Sequence, residues 1–378
     1  MKIILHIGQS KTGTSAIQAY LTLNKEKLLE QGFYFPMIRA SGIQLHSGSH
    51  NSLADAVAGK KSFPNVDYTK FLNECIIHAK GKNIKNILLS GEHFYGGEPR
   101  IWDLKSTDEY LPLYAEKVER VKKWLSGHDV SIILYLRPQV DWLASSVGQC
   151  VKHEKLITQE EIFKTDEKIF ELLRPLLDYN KLANIWGNAF GFNAVQIGIY
   201  NKSTLISQDA VPDFLHRIGA NLGELPRPLK QSVNKSFSAI QIAVKRLLNA
   251  TPKNKHEERV TIKCLESLGD YFASEPHKIS VELAQHIKKE LAENNELLCK
   301  AFNLEKSCFP VCTGKYVAES KPVEWDKVHE ALELYKHERR KIKYDLYKSN
   351  LILKQYLRNN QPALHAVLHR VKWRISHW

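Results

Sequence analysis

The chain has 378 residues, 43% of them apolar, 25% charged and 10% aromatic, with 19 Gly and 14 Pro. That balance excludes collagen-like, low-complexity and disordered classes and leaves ample length for a buried core. A formal charge of +13 points to anionic partners, whether phosphate-bearing ligands, nucleic acid or an anionic membrane surface.

The six cysteines, at 75, 150, 264, 299, 308 and 312, are too scattered for a disulfide framework. Cys308 and Cys312 have no second pair with which to make a zinc site. Reduced thiols in a cytosolic compartment are the expectation. The apolar start, Met1 to Gly8, is too short for a signal-peptide core, and no later run reaches the length of a membrane span.

In chain order, residues 2–8 read as a buried strand and Thr14 to Leu23 as a helix after a tight loop. Residues 84–90 and 130–136 are short apolar runs suited to parallel strands buried on both faces, and Asn193 to Tyr200 makes a fourth. Between them, residues 113–125 carry apolar positions at helical spacing and stop at Ser126-Gly127. The alternation predicts a three-layer α/β domain with a mostly parallel sheet. From about 236 the pattern turns helical, over 236–250, 257–272 and 280–302, with Ser280 at the start of the last. We therefore expect an α/β domain over 1–305, a linker over 306–322 and a basic amphipathic helical tail over 323–378.

The segment Gly8-Gln9-Ser10-Lys11-Thr12-Gly13-Thr14-Ser15 shares the glycine spacing of a nucleotide-triphosphate loop, but Thr14 stands where the lysine normally does. Backbone N–H groups and the positive end of the next helix can still cradle an anion. The lysine, moved inside the loop to position 11, lies beside a first phosphate instead of reaching a γ-phosphate. No apolar run ending in a magnesium-binding Asp is evident, so a metal-free, non-triphosphate donor fits better.

Residues 6–18, with Asn24 and Gly32-Phe-Tyr-Phe-Pro36, resemble the opening of bacterial sulfotransferase-like proteins of the carbohydrate type. The resemblance implies a P-loop-like fold and 3′-phosphoadenosine 5′-phosphosulfate (PAPS) as donor. It assigns Lys11, Thr12, Gly13, Thr14 and Ser15 to the 5′-phosphosulfate, with Lys11 stabilising charge on the bridging oxygen.

A second motif follows the strand 130–136. Arg137-Pro138 leaves the carboxyl end of that strand, and Ser145 lies eight residues on, in a helix suited by Pro138 and Asp141. An arginine fork and a hydroxyl suit one phosphate monoester, and the Arg-x7-Ser spacing resembles the family's 3′-phosphate motif. Gln149 and Lys152, further along, are lesser candidates for the same phosphate. Tyr200 is read as an adenine stacker or as a core-edge tyrosine.

The strand 84–90 ends in Ser90-Gly91-Glu92-His93-Phe94, placing a carboxylate and an imidazole at the sheet's carboxyl edge. Ser-x-Glu-x-Phe resembles the family's glutamate-type base, which makes Glu92 the expected base and His93 the second choice. His46 and His50 are alternatives. Partial burial would strengthen a glutamate as a base. Ser232 to Ser238 resembles a segment of the bacterial relatives, and Ser238 is also a good helix cap.

Residues 321–378 hold 13 Lys and Arg against 6 Asp and Glu, a net +7. The tail suits self-association through its helix, or peripheral contact with the inner membrane face through its basic residues, Trp373 and Trp378. The resemblance implies a carbohydrate or glycolipid as acceptor, and no nucleic acid partner is expected. Two rival readings remain open: a nucleotide kinase or small NTPase, and a non-catalytic polyanion-binding protein.

Overall fold

A computed structural model describes residues 1–40, 43–44, 48–60, 66–97, 99–153, 165–221, 237–249, 255–270, 277–304, 309, 317–318 and 326–342. The strand β1 (Lys2–His6) leads through a loop into α1 (Thr14–Leu23), then α2 (Lys25–Glu30) and the two-residue β2 (Phe33–Tyr34). A short hairpin, β3 (Arg39–Ala40) with β4 (Ile43–Gln44), precedes α3 (Asn51–Val57) and α4 (Tyr68–Gly81). Next come β5 (Asn86–Ser90), the single turn α5 (His93–Gly96), α6 (Tyr110–Trp124), β6 (Asp129–Leu136) and α7 (Gln139–His153). After α8 (Asp166–Leu177) and α9 (Tyr179–Phe190), β7 (Val195–Ile199) and α10 (Ala210–Ile218) complete the sheet region.

The five strands run parallel in the order β2-β5-β1-β6-β7. β1 is central, with Ile3 opposite both Ile87 and Val130. Its residues Ile3, Ile4 and Leu5 are all buried, which explains an uninterrupted apolar strand where sequence alternation is absent. Ile4, Leu88, Ile133 and Tyr135 pack with Ile17, Tyr20 and Leu21 of α1 and Phe214 and Ile218 of α10. Ile3, Leu5, Ile87, Leu89, Ile132 and Leu134 form the opposite face. There α6 packs on α9, and the Trp186 indole donates to the Tyr114 hydroxyl at 2.8 Å. The expected α/β layering is thus the observed one. Within this sheet the strand not expected is β2, a two-residue edge.

Because every strand points the same way, the segments after β1, β5 and β6 share one edge. The loop after β1 is flanked by the other two, where the chain switches from one side of β1 to the other and where open α/β sheets place ligands.

The remaining helices are α11 (Ala239–Asn249), α12 (Lys255–Ser267), α13 (Val281–Ala301) and one over 326–342, with β8 (Ile279–Ser280) paired to β9 (Val317–Ala318). The chain divides into two units: Met1–Cys150, Gln159–Asn234 and His277–Lys321 form one, and Val151–Thr158, Lys235–Pro276 and Pro322–Trp378 the other. This differs from the expected break at 306–322. α13 packs on α9 and so belongs with the sheet, while α11 and α12 group with the helix 326–342. In the second unit, the fully buried Lys245 ammonium pairs with Glu258 at 2.9 Å, and the Thr261 and Tyr335 hydroxyls share a hydrogen bond at 3.1 Å. Trp373 and Trp378 lie outside the described residues, as do Cys308, Cys312 and 232–236. No described helix is long and apolar enough to cross a membrane.

Candidate active site

The loop after β1 is built from both its glycines and its buried side chains. Gly8 has φ +97° and Gly13 φ +80°, a region that L side chains rarely adopt. Space is equally restrictive: a Cβ on Gly8 would stand 3.0 Å from the Glu92 Cα, and one on Gly13 3.1 Å from the Tyr200 ring. The loop's root extends the sheet, with the Gln9 N–H donating to the Tyr135 carbonyl at 2.8 Å and the Tyr135 N–H to the Gly8 carbonyl at 2.7 Å. Within the loop, the buried hydroxyls of Thr12 and Thr14 donate to the Gln9 carbonyl at 2.5 and 3.2 Å. Both threonines expected to bind the donor thus spend their hydroxyl protons inside the loop.

What the loop offers outward is different. Lys11, in the left-handed region at φ 66°, is partly exposed and Ser15 is exposed. Gly13 caps α1 without a side chain, and no acidic residue occupies the first turn. The first N–H groups of a helix have no intrahelical acceptor, so the positive end of α1 stands unneutralised by its own residues.

Arg137 is buried against this loop. Its Nη1 donates to the Lys11 carbonyl at 3.2 Å, and its guanidinium lies 5.9 Å over the Tyr200 ring. Trp142, in the first turn of α7, donates its indole N–H to the Ser10 carbonyl at 3.1 Å. Ser145, three residues on, lies on the same helix face and is partly exposed. Gln149 is exposed. Lys152 is not part of this group: it pairs with Glu266 in the second unit and lies 5.0 Å over the Phe237 ring. Tyr200, read from the sequence as an adenine stacker or core-edge residue, is already engaged by Gly13 and Arg137.

On the other flank, the end of β5 is tied to β1. The Gly91 N–H donates to the His6 carbonyl at 2.9 Å, and the Tyr95 N–H to the Ile7 carbonyl at 3.2 Å. Glu92 therefore sits against Gly8. Burial raises its carboxyl above the ordinary carboxylate value, opposed by the neighbouring His93 and Lys11 and by a hydrogen bond from Asn51. His93 Nδ1 is 2.9 Å from Asp55 Oδ1, and its backbone N–H donates to Asn51 Oδ1 at 3.1 Å. Asn51 and Asp55, one turn apart on α3, were not found from the sequence. Their only signal was an i, i+4 polar pair after His50.

His50 is corrected as an alternative base. It is fully buried; Nδ1 accepts the Ser90 N–H at 3.1 Å and Nε2 donates to the Pro36 carbonyl at 3.0 Å. Burial pulls its pKa down to about 4, so it is a neutral brace between two loops. His6 is similar: buried, bonded to Ser90 Oγ at 2.8 Å and lowered to about 3 by burial. His46 lies outside the described residues.

Two cavities of about 710 and 760 Å³ occur elsewhere in this unit, one along the β2 edge beside Tyr34 and Phe71 and one between Pro138 and α13. Neither is lined by Lys11, Glu92 or Arg137. The group gathered here therefore comprises Lys11, Ser15, Glu92, His93, Arg137 and Ser145 around an uncapped helix start. Such a set can bind anionic oxygens and accept a proton.

No family model matches the chain. An uncharacterized protein of Archaeoglobus fulgidus is 30% identical over 144 residues, which is 38% of this chain and 37% of that protein, so the match spans little more than a third of the relative's length. The crystal structure of a sulfotransferase from Alicyclobacillus acidocaldarius aligns over 82% of this chain and 98% of its own, with a TM-score of 0.44 and 12% identity. At that score the likeness carries no argument about activity.

Proposed function

We propose that the chain is a sulfotransferase that moves a sulfuryl group from PAPS to a hydroxyl of a carbohydrate or glycolipid acceptor and releases adenosine 3′,5′-bisphosphate. One observation carries the reading: Arg137 reaches the carbonyl of Lys11, so the two motifs of the sequence meet beside one loop, with Glu92 against Gly8 at the loop's root. The residues present fit such a donor. The loop N–H groups, Lys11 and Ser15 suit the 5′-phosphosulfate, and Arg137 with Ser145 suits the 3′-phosphate.

When bound, the donor supplies the sulfuryl group and a phosphate leaving group. Glu92 takes the acceptor's hydroxyl proton as the new O–S bond forms, a role helped by the burial that raises its pKa. Lys11 offsets the negative charge left on the departing phosphate oxygen. Asn51 orients Glu92, and Asp55 orients His93. The tail, largely beyond the described residues, is proposed as the site of self-association or of contact with the inner membrane face from the cytoplasm.

The test is calorimetric titration with adenosine 3′,5′-bisphosphate against ATP with magnesium. Binding of the bisphosphate, abolished in Lys11→Ala and Arg137→Ala, is the expected result. Preference for ATP with magnesium would make the chain a kinase or NTPase, and binding of neither would leave a polyanion-binding protein.

A further inference from the structure

We infer that Gln9 and Tyr179 form a brace that fixes the spacing between the two anion-binding segments, so that a ligand with two phosphate groups is gripped as one body. The inference rests on the nucleotide reading of the site. It concerns residues outside the phosphate-binding set, one in the loop and one at the start of α9.

The Tyr179 hydroxyl donates to the Arg137 carbonyl at 2.8 Å and receives the Gln9 Nε2 at 3.2 Å. The Gln9 Oε1 accepts the Arg137 backbone N–H at 3.3 Å. Both backbone polar groups of Arg137 are thereby tied, directly or through one hydroxyl, to a single loop side chain. Gln9 is 2% exposed and Tyr179 fully buried, so these bonds do not compete with water. The backbone of Gln9 is in turn the anchor of the loop, its carbonyl holding Thr12 and Thr14 and its N–H held by Tyr135. α9, whose first residue is Tyr179, is capped by Asp178, which accepts the Lys181 N–H at 3.1 Å. The hydroxyl therefore projects from a fixed helix start and not from a loop.

Two binding groups on one ligand reinforce each other only when the protein holds their sites at the matching separation. A local structural bond would stabilise the fold without regard to ligand. A brace shows itself differently, as a loss confined to ligands that span both sites.

The experiment measures binding of adenosine 3′,5′-bisphosphate, adenosine 5′-monophosphate and adenosine 3′-monophosphate to wild type, Tyr179→Phe, Gln9→Met and the double variant. Wild type should bind the bisphosphate more tightly than either monophosphate. Losing one buried hydrogen bond should cut bisphosphate affinity in Tyr179→Phe about fivefold to tenfold, with the monophosphates changed by less than about twofold. The double variant should lose no more than the worse single, since both changes break one network. Equal losses for all three ligands, or an unchanged bisphosphate affinity, would overturn the brace. A wild type with no preference for the bisphosphate would overturn the nucleotide reading itself. Should Tyr179→Phe fail to fold, Gln9→Met is read by the same criteria.

Discussion

Two sets of polar residues share the carboxyl edge of the sheet, and their hydrogen bonds go to different places. His6, Gln9, Thr12, Thr14, His50 and Ser90 are at most 3% exposed and bond to one another, to backbone or to other buried side chains. Lys11, Ser15, Glu92, His93 and Ser145 are partly or fully exposed. The sets interleave: Lys11 lies between Gln9 and Thr12 in the same loop. Neighbouring residues of one motif thus have separate duties, one set giving the loop its shape and the other meeting what arrives.

That contrast is open to direct attack. The largest effect should come from Lys11→Gly. Glycine relieves the left-handed backbone at position 11, so the melting temperature should hold or rise, while turnover falls about 10²–10³-fold with the ammonium gone. A variant that lost stability together with turnover would erase the distinction.

Glu92→Gln comes next, lowering turnover by about 10²–10³-fold and leaving bisphosphate affinity intact. Burial raises the folded-state pKa of Glu92, so its stabilising contribution is present below the unfolded-state value and lost as pH rises through the folded one. At pH 7 the glutamine variant should equal or exceed wild type in stability, an advantage that shrinks in acid. Wild-type turnover should climb with pH through the same group.

From the inner set, His50→Ala should cost about 2–4 kcal/mol of stability through the two lost bonds and the cavity, seen in denaturant titration. The pH dependence has the opposite sign to that of Glu92. With its pKa lowered from 6.5 to about 4, His50 contributes fully above the higher value and loses that contribution as pH falls through the window. The alanine variant should show a flatter stability profile there. The smallest effect is expected for Ser145→Ala, a loss of about twofold to threefold in bisphosphate affinity with no change in melting temperature.

Much of the sheet was legible in the sequence because its four longer strands are mostly apolar runs followed by a glycine, a proline or a polar turn. β2 was not, since two residues between Gly32 and Pro36 carry no period. Lys11, Glu92 and Arg137 could be picked out because each follows a strand end. Asn51, Asp55 and Tyr179 could not, for their partners lie 38 to 170 positions away and only the packing of α3 and α9 brings them near. His50 misled for a related reason: histidine in a loop-like sequence suggests exposure, and only the fold shows it enclosed beneath Pro36 and Ser90. The amphipathic pattern of α13, with Leu283, Ile287 and Leu291 buried, was visible, but the pattern does not name the surface it covers.

The attachment of α13 to α9 has a consequence for biosynthesis. By the time a ribosome has released residue 234, every strand of the five-stranded sheet exists, yet the helix that shields α9 is still uncoded in the emerging polypeptide. The nascent domain must wait through the intervening helices before its outer layer can close, which makes early fragments natural clients for chaperones.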